Sequence, residues 1–228
     1  MTSTADQRTA RRTPLTRARV LGEALALADA SGLDAVTMRR LAERLGVEPM
    51  SLYHHVPNKD ALLDGLIALV FDEVDAETGG HEVPDVDPDW KASLRTRILA
   101  ARRVMLRHPW APGLMQSRVF PGAAMAGHAD AVVGTLRSGG FSYDLIHHAM
   151  HALGSRMFGF SQELVTDDGD AEEAAAMAAR TPHLVAMLAE VAHDDPDSTI
   201  GWCDDATEFG FALDLLLDGL ESLSRREG

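Results

Sequence analysis

The chain holds 228 residues, 46% of them apolar and 25% charged, which is enough apolar material to bury a sizeable core and too much to stay disordered. The length suits one large domain, or a small one joined to a larger one. Asp and Glu number 35 against 21 Lys and Arg, and the resulting net charge of -14 ordinarily argues against a polyanionic partner.

At the front, "MTSTADQRTA" is polar without apolar periodicity, and Arg11, Arg12, Arg17 and Arg19 follow it closely. Residues 1–14 are expected to form a disordered basic arm. Residues 1–60 carry nine Lys and Arg against seven Asp and Glu, which leaves twelve against twenty-eight for the remainder. The basic charge is therefore concentrated where the average hides it. A first helix is predicted from about Leu15 to Ser31, with Val20, Ala24, Leu27 and Ala28 on one stripe and Gly32 as its stop. Thr37 caps a second, whose stripe is Met38, Leu41 and Leu45 and whose stop is Gly46. A third begins at Pro49 or Met50 and lasts barely two turns. Asn58 caps a longer fourth helix, apolar at Leu62, Leu63, Leu66, Ile67 and Val70, which runs to about Thr78 before Gly79-Gly80.

"GGHEVPDVDPD" is a Gly, Pro and Asp-rich connection, so the small front domain and its connecting helix are taken as residues 15–78 and the larger domain as 79–228. Helical periodicity resumes from Trp90 to Arg107, with Leu94, Ile98, Ala101 and Met105 on one face, and His108-Pro109 ends it. Pro121 to Ser138 is Ala- and Gly-rich and stops at Gly139-Gly140. Ser142 caps a long helix that persists to about Val165, with Phe141 placed to staple onto Ile146. An acidic loop, "TDDGDAEE", separates it from a helix starting at Thr181-Pro182. The last helix, Thr207 to Leu223, carries Phe209, Phe211, Leu213, Leu215, Leu216, Leu217, Leu220 and Leu223 around too much of its circumference for one interface. Its second apolar face is expected to meet its twin in a homodimer, alongside the long helix. No strand alternation is present, and the fold class is all-α. A single cysteine, Cys203, fits a reducing compartment, and no leader or membrane span is apparent, so a cytoplasmic protein away from membranes is expected.

Helix, Gly-containing turn and short helix together make a helix-turn-helix, whose second member enters the DNA major groove. With Val47 and Leu52 turned inward, Ser51, Tyr53, His54 and His55 offer hydroxyl, phenol and imidazole groups to phosphates and base edges, and Lys59 adds a positive charge. Tyr53 and Lys59 are expected on phosphates, and Arg39, Met50 and Ser51 nearest the bases, with Thr37 at the start of the second helix completing the set. The bland reading is a helical corner whose polar residues are merely solvated.

The run "LTRARVLGEALALADASGLDAVTMRRLAERLGVEPMSLYHHVPNKDALLD" resembles the DNA-binding domain of the TetR family of bacterial transcriptional regulators. "LRHPWAPGLMQSR", "LRSGGFSYDLIHHAMHALGSRMFGFSQEL" and "EFGFALDLLLDGLE" resemble the C-terminal domain of its tetracycline-repressor-like branch. The resemblance implies a homodimer whose three-helix N-terminal heads read a palindromic double-stranded operator, and a C-terminal domain that binds a small-molecule effector and dimerises. It matches Arg39 to a guanine-reading arginine, and Pro49 and Met50 depart from that branch's glutamine and proline, so the operator should differ. It also bears on the effector. The branch's magnesium-holding histidine is here Leu114, although Glu163 matches the partner subunit's acidic residue; its amide and phenylalanine ligand contacts are here Arg97 and Ala101. Tetracycline is thus a poor candidate, and Arg97 suggests an anionic or carbonyl-bearing effector unless it makes an internal ion pair.

The expected effector-lining residues are Arg97, Ala101, Met105, Trp110, Met115, Gln116, His147 and His151. The alternative is a cavity packed shut by Met105, Met115 and Met150, giving a ligand-independent repressor. His147 and His151 stand at i and i+4, a spacing able to chelate Zn²⁺, but no third ligand is placed by sequence and no metal or other cofactor is assigned. A catalytic role finds no support, because no Gly-x-Ser-x-Gly, Gly-rich phosphate loop, His-Glu-x-x-His or Cys-x-x-Cys occurs. A helical protein-interaction module without DNA affinity is the remaining alternative.

Overall fold

Helices and no strands occur in the computed structural model, which describes residues 14–80, 82–118, 122–158, 178–191 and 205–227. In chain order they are α1 (Arg17–Ser31), a 3₁₀ turn (Leu33–Ala35), α2 (Met38–Leu45), α3 (Pro49–Tyr53), α4 (Lys59–Thr78) and α5 (Trp90–Arg107). There follow α6 (Ala111–Gln116), α7 (Ala123–Ser138), α8 (Tyr143–Phe158), α9 (Pro182–Val191) and α10 (Asp205–Glu227). The basic arm over 1–13, Pro121, Glu163, the continuation of the long helix to Val165, the acidic loop and Cys203 lie outside the described residues.

One compact unit gathers 14–80 with 100–118 and 122–130, and a second gathers 82–99 with 131–158, 178–191 and 205–227. The first is punctuated by local capping. Thr16 Oγ1 accepts the Arg19 N–H at 3.2 Å, so α1 starts at Arg17 and not at Leu15. Thr37 Oγ1 accepts the Arg40 N–H at 3.2 Å, and Asn58 Oδ1 accepts the Ala61 N–H at 2.7 Å. Each bond satisfies a backbone donor with no partner inside its helix and is worth about 1 kcal/mol. The stripe Val20, Ala24, Leu27 and Ala28 packs with Leu41, Leu45, Leu52, Val56, Leu62 and Leu66 in one buried cluster, each large side chain contributing ~1.5–3 kcal/mol. At Gly65 α4 comes so near α1 that an added Cβ would stand 2.5 Å from Leu21 Cδ2. The 3₁₀ turn after Gly32 is a three-residue element that no periodicity announces.

In the second unit Trp90 meets Phe141 edge-on at 4.6 Å between ring centroids, over a core of Leu94, Ile98, Val132, Leu136, Ile146, Ala149, Leu153, Phe209, Leu213, Leu217 and Leu220. Phe141 and Ile146 are buried in that same cluster, as the staple requires, and Ser142 Oγ accepts the Leu145 N–H at 3.2 Å. Helix α7 starts at Ala123, two residues inside the expected range. Three sides of α10 have three uses. Phe209, Leu213, Leu217 and Leu220 are buried; Asp214 takes Arg95 of α5 at 2.7 Å, while Asp218 and Glu221 take Lys91. Phe211 (63% exposed), Leu215 (58%) and Leu223 remain on the surface, and α10 packs against α8.

Candidate nucleic-acid interface

The turn between α2 and α3 starts at Gly46, whose φ of 65° and ψ of 39° lie in the left-handed region that glycine enters without penalty. Val47 follows, donating its N–H to the Ala42 carbonyl at 3.0 Å and packing half-buried on the core. Pro49 opens α3, where its missing N–H removes no bond. Because Leu52 and Val56 are fully buried, the short helix is pinned by one side. Met50 (71% exposed), Tyr53 and His54 occupy the other, spaced three and four positions apart.

Thr37 and Arg39 are exposed at the start of α2, Ser51 and His55 are half-buried, and Lys59 is exposed as the first residue of α4. The eight sequence-predicted residues therefore fall on α2, α3, the residues flanking them and the first position of α4. The Arg39 side chain is 86% exposed and its Nε donates to Glu43 Oε1 at 3.1 Å. An exposed i,i+4 pair of this kind is worth ~0.3–0.5 kcal/mol, so little opposes Arg39 exchanging Glu43 for a base. At Lys59 the helix terminus adds its own attraction for phosphate, from backbone N–H groups and the positive end of the helix dipole.

Behind this face the residues 108–118 are fastened to the head. His108 is buried with Nδ1 2.8 Å from Asp29 Oδ1 at the end of α1 and Nε2 3.2 Å from Glu73 Oε1 of α4, and Trp110 Nε1 donates to the same Asp29 oxygen at 2.8 Å. At the other end of α6, Arg118 donates from Nη1 to Asp60 Oδ1 and from Nη2 to the Asp60 carbonyl, both at 3.1 Å, and its Nη2 lies 2.9 Å from Asp64 Oδ1. Arg107 bridges Glu73 and Glu77, and Arg103 adds a second hold on Glu77, whose carboxyl the Arg107 and Arg103 hydrogen bonds keep below its usual range. Sequence reasoning missed these fastenings. Its one available signal was Asp60/Asp64 and Glu73/Glu77, two carboxylate pairs one helical turn apart that call for a cation without naming it.

The expected effector residues fall in both units. Ala101, Met105 and Met115 are buried, Trp110 half-buried and Gln116 exposed in the first; Arg97 is buried and His147 and His151 are exposed in the second. Among the described residues no group of three His, Cys, Asp or Glu side chains is arranged to hold a metal ion, and no helix is long and apolar enough to cross a membrane.

Comparison with known proteins accords with this geometry. A family model described as "Bacterial regulatory proteins, tetR family" matches residues 20–66, and one described as "Tetracyclin repressor-like, C-terminal domain" matches residues 83–224. The chain is 32% identical over 226 residues to the HTH-type transcriptional repressor DrrR1 of Streptomyces coeruleorubidus, spanning 94% of this chain and 80% of that one. It is 33% identical over 201 residues to the tetracycline repressor protein class A from transposon 1721 of Escherichia coli, 88% of each chain. The Streptomyces coelicolor TetR family protein ActR, solved in complex with actinorhodin, matches with a TM-score of 0.62 and 27% identity over 93% of this chain and 99% of that one. With both halves of the chain matched by their own models and the helix-turn-helix in place, the chain belongs to the TetR family of bacterial transcriptional regulators.

Proposed function

We propose that the protein is a homodimer that grips a palindromic operator with two heads and lets go when a small molecule engages α5 and α6. Arg39, Met50 and Ser51 meet bases, with Thr37 beside them. Tyr53, His54, His55 and Lys59 hold phosphates. The effector carries an anionic or carbonyl oxygen suited to the buried Arg97 guanidinium of α5. ActR was solved with actinorhodin and a related protein of Acinetobacter baumannii with minocycline, which supports a small organic effector of some kind for this chain. Catalysis plays no part.

The observation that carries this reading is the double fastening of 108–118 to the head. Asp60 and Asp64 stand in the first two turns of α4 beside Lys59, where two carboxylates repel a phosphate, and Arg118 compensates them. An effector that displaces α6 withdraws Arg118 and uncovers both charges at the DNA-facing end of α4. A ligand releases DNA only by binding the non-operator conformation better, with couplings of about 1–3 kcal/mol. The test begins with a thermal-shift screen and operator release. Arg97→Met should weaken binding of any hit by on the order of ten- to a hundredfold, the worth of a charge-assisted hydrogen bond, and leave operator affinity unchanged. Arg118→Ala should leave effector binding intact and weaken the operator by on the order of tenfold, with Asp60→Asn plus Asp64→Asn restoring it. Unchanged operator affinity in Arg118→Ala would refute the route. The second reading, a ligand-independent repressor, draws on the burial of Met105 and Met115 and is favoured if no compound releases the operator.

A further inference from the structure

Helix α8 has an inner side and an outer side. Leu145, Ile146, Ala149 and Leu153 are buried, and the direction opposite to them is occupied by His147 and His151, both exposed. The two rings lie one helical turn apart with centroids 4.7 Å from each other and planes at 78°. Among the described residues their ring contacts are with imidazoles: His147 also touches His148 at 5.7 Å, and it is His148, not this pair, that approaches a carboxylate, Asp144 at 4.0 Å. Among the described residues neither ring has a core partner, an ion pair or a cap. Neutral imidazoles at i and i+4 point the same way from a helix, and imidazole suits Zn²⁺, Ni²⁺ and Cu²⁺ among the divalent cations.

One chain supplies two such ligands and, among the described residues, no convergent third. Four-coordinate zinc sites need more. The same unit leaves Phe211, Leu215 and Leu223 exposed on α10, which packs against α8, and a closed two-fold dimer lays such a face against its own copy. His147 and His151 are exposed on the side of α8 opposite its buried residues, and a two-fold dimer that uses that side presents them twice. We propose that His147 and His151 bind a divalent cation of the Zn²⁺, Ni²⁺ or Cu²⁺ class in a site completed by the same two histidines of a second copy of the chain. The inference rests on the homodimer proposed above and assigns these two histidines to the subunit interface instead of to the effector. The cation clamps the dimer and leaves α2 and α3 untouched.

The test uses the full chain stripped with a chelator and exchanged into metal-free buffer. Light scattering in chelator measures the dimer by itself, and titration with Co²⁺ reads both stoichiometry and geometry through its visible absorption, with Zn²⁺ as competitor. We expect one Co²⁺ for every two chains with the strong bands of a tetrahedral nitrogen set, and loss of that saturable step in both His147→Gln and His151→Gln. His183→Gln, on the exposed part of α9, should keep it. Unchanged circular dichroism and melting in the two variants would show that the loss is one of ligation. No saturable step, a step that survives both substitutions, or one cation per chain overturns the proposal while a dimer in chelator stands. A monomer both with and without Zn²⁺ overturns the dimer as well.

Discussion

In the proposed function, position on a helix gives Arg39 and Lys59, of one charge type, two different tasks. Arg39 sits two residues past the Thr37 cap with only the weak Glu43 pair to give up, so its planar guanidinium is available for two parallel bonds to a guanine edge. Lys59 is a point charge at a helix start, suited to a phosphate and blind to sequence. Arg39→Ala should therefore cost about 1–3 kcal/mol of discrimination at one base pair. Lys59→Ala should weaken all sequences alike and lower the slope of log affinity against log salt by about one, read by anisotropy titrations at several salt concentrations. Equal losses on specific and random DNA in both variants would show the roles to be misassigned. At this scale the sequence was informative wherever the physics is local. Thr37, Asn58 and Ser142 were readable as caps because their hydrogen bonds span three residues. His108 and Arg118 were not, because their partners lie 79, 35 and 58 residues away and meet them only once the helices have packed.

Between elements, the contacts that matter are a close approach and a set of ion pairs. Gly65 lets α4 lie on α1 at Leu21, and Gly65→Val should overpack that contact, costing about 1–3 kcal/mol in a denaturant melt. A melt like that of the wild type would mean Leu21 simply turns aside. Across the second unit, Asp214 is held below the usual carboxylate range chiefly by the hydrogen bond from Arg95, with the charges of Arg95 and Lys91 adding to it. A depressed folded value stabilises above the unfolded pKa of about 3.9 and is lost as pH falls through the folded one. Melting temperature should therefore drop on acidification below about pH 4, and Asp214→Asn should shallow that limb by a small amount, since both partners are nearly half exposed. An acid limb identical in the variant would show that the pair adds nothing. Helix boundaries at α2, α4 and α5 were legible because Thr37, Gly46, Asn58, Gly79 and His108-Pro109 punctuate them. Helix α6 was not, since six residues containing Pro112 and Gly113 carry turn chemistry and too little periodicity.

For the molecule as a whole, the acidic average of the chain and the DNA-facing front are reconciled by division of labour. The terminal helix offered eight large apolar side chains, and the structure sorts them into four buried, one half-buried and three exposed. Periodicity foretold that two faces were apolar; which one faces the chain's own core depended on where α5 places Lys91 and Arg95 against Asp214, Asp218 and Glu221. In the proposed homodimer the exposed face meets its own copy, which gives two heads for half-sites about one DNA turn, roughly 34–36 Å, apart. The central claim is tested most directly by titrating the protein onto a palindromic fragment from its own upstream region and onto a scrambled fragment of equal length at one salt concentration. The account predicts one dimer per palindrome and a preference over the scrambled fragment on the order of a thousandfold or more. Equal affinity for the two fragments would contradict it.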